Sequence, residues 1–204
     1  MYITQLNFEI KRKAFHICSL IFPFAYLFTS KLIMAIILTI IAGITFYLDI
    51  SRHYNQKIKG LIDNIFGKLL RPQENSGNFA LSGASYMAFG FLISCLFFSK
   101  GLAITSQLIL IISDCLAAII GMQYGSSLYN GKSYAGSVSF FLSAVLISIL
   151  TYFTIGYNTN FIIILISSLL ATGVEFFSND IKINDNLSIP LTYAFSTFFL
   201  SLIF

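Results

Sequence analysis

Only eight of the 204 residues are acidic, and four of these, Asp49, Asp114, Glu175 and Asp185, stand in or beside long apolar runs. An ionised aspartate near the middle of a membrane span costs about 2.5–3.5 kcal/mol on insertion scales, so such a group faces a cavity or a partner. In SDCLAAIIGMQYG, residues 113 to 125, Asp114, Ala117, Ala118, Gly121 and Gly125 fall at i, i+3, i+4, i+7 and i+11. One helical face is thus a carboxylate above a strip with almost no side-chain bulk, where a neighbouring helix or a ligand can approach the backbone. Arg12, Lys13, His16 and Lys132 supply cations or titratable nitrogens, with Glu9 on the face of His16. Carboxylates, lysines and glycine-rich turns together are the ingredients of a magnesium–phosphate site, in which metal and side-chain cations offset phosphate charge.

Each group also has a plainer reading. Charged residues at span ends snorkel to the interface, His16 can be a hydrogen-bonded core histidine, Gly and Ser at span starts serve packing, and Asp114 can simply pair with Lys132. Convergence on one side of the membrane argues against treating them separately. The three cysteines, Cys18, Cys95 and Cys115, lie in predicted spans without CxxC or metal-ligand spacing and read as small core residues. GKS at 131 to 133 is not a P-loop: Ser126 stands where the motif needs its first glycine, and no strand precedes it.

The elements that must position these groups are membrane helices. The chain is 57% hydrophobic and 10% charged, with a mean hydropathy of +0.84, well outside the range of soluble domains. Seven apolar segments are expected to span, at 14–30, 31–49, 79–98, 102–122, 134–156, 160–177 and 190–204. The reading is one all-α, polytopic membrane domain over 1–204, with the first segment a retained helix and not a cleaved signal. Between the second and third spans, Ile58, Leu61, Ile62, Ile65, Phe66, Leu69 and Leu70 recur at steps of three and four, predicting an interfacial amphipathic helix over about 54–71.

With the N-terminus in the cytoplasm and the C-terminus outside, Lys11, Arg12, Lys13, Arg52, Lys57, Lys59, Lys68, Arg71, Lys132 and Lys182 all fall on the cytoplasmic side. Only Lys31 and Lys100 fall on the other. That asymmetry accounts for the net charge of +4 without a nucleic-acid partner. LSGASY (81–86), NGKSYAGS (130–137), NDNLSIP (184–190) and the Ser168, Ala171, Thr172, Glu175 face share the same side.

The ordered set Glu9, Arg12-Lys13, His16, LSGASY, Asp114 with Ala118, Gly121 and Gly125, KSYAGS, Glu175 and NDNLSIP resembles the CTP-dependent lipid-alcohol kinases. That family includes dolichol kinase, phytol kinase and the yeast-type diacylglycerol kinase, and it is distantly related to phosphatidate cytidylyltransferase. The resemblance implies transfer of the γ-phosphoryl of CTP to the hydroxyl of a membrane lipid on the cytoplasmic face. It implies that Asp114 and Asp185 hold Mg²⁺, that Glu175 assists or acts as base, and that Lys132 and Arg12 neutralise phosphate. Lys13, His16, Gly83, Gly121, Gly125, Gly136, Ser137 and Asn186 complete the implied cofactor-binding set. Met122 and Ser126 stand where the family usually has basic residues, and Ala135 where it tends to have Glu. A cytidylyltransferase, or a non-catalytic membrane protein or transporter, is the alternative. The sequence leaves the host membrane, bacterial inner membrane or endoplasmic reticulum, and the oligomeric state open.

Overall fold

The computed structural model describes residues 12–66, 80–126, 131–181 and 183–204, and these are helical from end to end apart from short connections. In chain order the helices are α1 (12–18), α2 (Ile21–Phe28), α3 (Lys31–Tyr54), α4 (Gln56–Phe66), α5 (Gly83–Phe97), α6 (Lys100–Leu108), α7 (Asp114–Tyr124), α8 (Tyr134–Thr154), α9 (Phe161–Ile181) and α10 (Asp185–Ile203). A five-residue π-helical turn, Ile109–Ser113, joins α6 to α7 without a break.

Among the described residues, five helical stretches are long and apolar enough to cross a membrane: Lys31–Tyr54, Lys100–Tyr124, Tyr134–Thr154, Phe161–Ser178 and Asp185–Ile203. The expected count of seven is not reached, and each shortfall has a physical cause. The first segment is broken by a turn at Ser19 and Leu20, where the amides of Ser19, Leu20 and Phe22 bond three residues back. Pro23 lies four residues beyond Ser19, and a proline both removes a helical donor and crowds the carbonyl four residues before it. The third segment starts at its Ser82 cap, and α5 has 15 residues, roughly 22 Å at 1.5 Å per residue against a hydrocarbon core of about 30 Å.

Successive helices run between two ends of the bundle. At one end Lys31 Nζ donates to the Phe98 carbonyl at 3.0 Å, and Lys100 Nζ donates to the carbonyls of Leu27 and Thr29 at 2.9 and 3.0 Å. Both lysines thereby satisfy carbonyls at helix C-termini. Deeper in, Thr105 Oγ1 bonds Thr151 Oγ1 at 2.8 Å and Tyr193 OH bonds Ser148 Oγ at 2.7 Å, tying α6, α8 and α10 through groups that would otherwise be buried without partners.

The continuous helix Lys100–Tyr124 is the centre of the bundle: two-thirds of its apolar window is buried, against 28–39% for the other four. Leu102, Ala103, Ile104, Ile109, Leu110 and Ile111 face the core with Phe91, Phe140, Ala144 and Ile189. On α8 the division is one of faces. Gly136, Phe140, Ala144, Ile147 and Thr151 are buried, while Val138, Leu142, Leu146, Leu150 and Phe153 are exposed, an apolar outward stripe suited to lipid.

The amphipathic helix begins later than 54. Asn55 ends α3 and starts α4 at once: its amide bonds the Ser51 carbonyl, while its Oδ1 accepts from the amides of Lys57 and Ile58. The expected continuation to 71 lies outside the described residues beyond Phe66.

Candidate functional site

At the opposite end from Lys31 and Lys100, charged groups from five segments gather below the helix ends. Asp114 opens α7 immediately after the π-helical turn and is 3% exposed. The wider turn shifts the register of the residues that follow it relative to α6, and so sets the direction in which Asp114 projects; π-turns often occur at functional sites for this reason. Lys13 on α1 donates to Asp114 Oδ2. His16, one turn further along α1, has its Nε2 3.9 Å from the same oxygen, too far for a hydrogen bond, and that nitrogen is buried without a hydrogen-bond partner.

A second pair lies alongside. Lys132, in the connection between α7 and α8, donates to Glu175 Oε1 on α9, and Glu175 Oε2 is buried with no hydrogen-bond partner. Burial works against the Lys132 ammonium, but the charges of Glu175, Asp114 and Asp185 outweigh it and hold the pKa of Lys132 above its ordinary value. Asp185, in the first turn of α10, is buried and acts electrostatically on His16, Lys132 and Glu175. Its neighbour Asn186 donates from Nδ2 to the Gly83 carbonyl at 2.9 Å, fixing the start of α10 against the start of α5.

Of the sequence-derived set, Asp114, Lys13, His16, Lys132, Glu175 and Asp185 come together, and Arg12, half-buried, lies within electrostatic reach of His16. The pairing differs from the simple expectation: Asp114 takes Lys13, 101 residues away, and Lys132 takes Glu175. Asp49 does not join them. Its Oδ2 accepts from Ser82 N at 2.8 Å, Ser82 Oγ at 2.9 Å and Ser85 Oγ at 2.6 Å, and Arg52 stands 3.7 Å from its Oδ1 while donating to the Ala80 carbonyl. This is a separate clamp holding the start of α5 to α3. Glu9 lies outside the described residues.

The glycines expected to leave room for a ligand are filled by the protein itself. A Cβ on Gly121 or Gly125 would come within 2.8 or 2.3 Å of Ser133 Oγ, and one on Gly136 within 2.8 Å of the Ala117 carbonyl oxygen. Ser133 caps α8 by accepting from the Gly136 amide at 3.1 Å, and it sits in the notch left by Gly121 and Gly125. The small-residue face of α7 therefore seats the residue next to Lys132, and so sets where that ammonium can reach. Ser137 Oγ, one residue past Gly136, is buried without a partner. Sequence reasoning missed the seating role of Ser133, although an N-cap serine three residues before glycine was a readable signal. It also missed the π-turn, for which the local sequence carries none.

Among the described residues no three His, Cys, Asp or Glu side chains converge as a metal-binding group. Magnesium, however, commonly takes only one or two protein carboxylates and completes its octahedron with phosphate oxygens and water. Asp114 and Asp185, both buried at this end, are carboxylates of the kind such an ion takes one or two at a time.

Fold and site together define an all-helical protein of membrane type with a buried, mutually paired cluster of lysines and carboxylates at one end. The chain belongs to one family with Uncharacterized protein RP860 of Rickettsia prowazekii (strain Madrid E), to which it is 55% identical over 197 residues and 97% of each chain, and with Uncharacterized protein MJ1137 of Methanocaldococcus jannaschii, 31% identical over 92% of this chain and 91% of that one. It is also similar to Probable phytol kinase 1, chloroplastic, of Oryza sativa subsp. japonica, 30% identical over 133 residues, covering 59% of this chain and 42% of the rice protein. No family profile matches the chain, and no solved structure does.

Proposed function

We propose that the protein is a nucleotide-dependent kinase that phosphorylates the hydroxyl of a membrane lipid alcohol, with CTP as donor and a polyprenol, dolichol, phytol or diacylglycerol as acceptor. The observation that carries the reading is the meeting of Lys13, Lys132 and three buried carboxylates at one end of a membrane bundle. The partial similarity to a phytol kinase supports it. The Lys and Arg bias of the sequence supports a cytoplasmic position for this end, where nucleotide is available.

In this reading Lys13, Lys132 and Arg12 engage the triphosphate oxygens and hold the γ-phosphorus in line with the lipid hydroxyl. Glu175, freed from Lys132 by the phosphates, accepts the hydroxyl proton as the oxygen bonds to the γ-phosphorus. The bond to the bridging oxygen breaks and the nucleoside diphosphate leaves with its electron pair. Asp114 and Asp185 would hold a magnesium ion carried by the nucleotide, which would supply neutralisation of phosphate charge. His16, packed beside Asp114, orders the first helix against the site.

The test is transfer in lipid discs from CTP labelled at either the α or the γ phosphorus, offered with a panel of lipid alcohols and phosphatidate. Label from the γ position on an alcohol is the expected result, and Asp114→Asn should abolish it while the protein stays folded. Label from the α position on phosphatidate would make the protein a cytidylyltransferase. No transfer of either label would remove the enzyme reading.

A further inference from the structure

Two carboxylates of the cluster already have a cation. Lys13 is paired with Asp114 and Lys132 with Glu175, side chain to side chain, and the charge of Asp185 also acts on Lys132. Lys13 is 4% exposed, Asp114 and Glu175 each 3%. A divalent cation arriving alone must displace a lysine, and a displaced Lys13 would be a buried ammonium without a counter-charge. Breaking one partner out of a buried pair is strongly unfavourable for that reason. A polyphosphate changes the exchange, because it brings the oxygens that the departing lysines need. Two groups are already unsatisfied in the resting arrangement, Glu175 Oε2 and His16 Nε2, so the cluster is incomplete as a closed salt-bridge network.

We propose that Lys13 and Lys132 gate the metal: the site takes up a divalent cation only together with a polyphosphate, whose oxygens draw the two lysines off Asp114 and Glu175. The inference rests on the kinase reading for the identity of the polyphosphate. It goes beyond that reading in fixing the order of binding and naming the residues that enforce it.

The experiment measures saturable Mn²⁺ binding to the full chain in lipid discs, without and with CTP, by equilibrium dialysis corrected for Mn²⁺ held by free CTP. The expected result is no Asp114-dependent binding of Mn²⁺ alone, and binding once CTP is present. The coupling should lie in the usual range of about 5–150-fold and be the same for CTP affinity measured with and without Mn²⁺. In Lys13→Met, and in Lys132→Met should the first variant fail to fold, Mn²⁺ should bind without CTP. Two results would overturn the gate and leave the kinase reading standing: Mn²⁺ binding alone to the wild-type protein and losing that binding in Asp114→Asn, or folded lysine variants that still require CTP. If neither Mn²⁺ nor CTP binds in the other's presence, the gate and the kinase reading fall together.

Discussion

Replacing Gly136 by alanine would put a Cβ 2.8 Å from the Ala117 carbonyl oxygen, 3.2 Å from Ser133 Oγ and 3.4 Å from the Gly121 Cα. The first of these is backbone on the central helix and cannot rotate away, so α8 must move from α7 by a few tenths of an ångström. Overpacking of this kind costs about 1–3 kcal/mol, and removing a helical glycine returns at most about 1 kcal/mol. At mid-range the net loss is about 1 kcal/mol. Gly43, on α3, is the matched control: a Cβ there meets nothing within 4 Å, so Gly43→Ala should be neutral or stabilise by up to about 1 kcal/mol. Unfolding in mixed micelles by SDS titration, followed by circular dichroism, reads both variants on one scale. Because Ser133 is seated in the same contact, Gly136→Ala should also slow phosphoryl transfer by shifting Lys132. Equal stability of the two variants would refute the account of a tight α7–α8 seam and return Gly121, Gly125 and Gly136 to open space.

Inserting an alanine after Leu108, at the end of α6, should turn Asp114 by roughly 100° about the axis of the central helix; helicity should survive while transfer is lost, and retained activity would show that the direction of this carboxylate does not matter. Asp49→Ala leaves Arg52 without its carboxylate and Ser82 and Ser85 without an acceptor. It should cost about 3–5 kcal/mol in the same unfolding assay, with much of the loss recovered when Arg52 is also replaced by Met. The pKa of Lys132 is held above 10.5, so from neutral pH upward its ion pair keeps its contribution until pH rises through the folded value. The difference in melting temperature between wild type and Lys132→Met should accordingly be constant from pH 7 to about 10 and shrink only beyond.

The membrane class, the helical composition and the gathering of most candidate groups toward one end of the helices were readable from order along the chain. They depend on local quantities: how apolar a stretch is, where charge interrupts it, and which loops hold Lys and Arg. The break near Ser19 had a readable signal in Pro23, which disfavours a regular helix through that turn, and hydropathy averaged over the segment hid it. The partner of Asp114 was not readable. Lys13 and Lys132 are equally cationic, and which of them reaches Asp114 depends on how α1 and the α7–α8 connection pack around the central helix. The same holds for Asp49, whose charge and position suggested the phosphate site and whose neighbours made it a clamp on α5. Composition thus determined which groups leave water and at which end, because burying a charge is costly for any neighbour. Only the tertiary structure decided the pairs, since a counter-charge acts over a few ångströms and those distances belong to the packing of helices far apart in sequence.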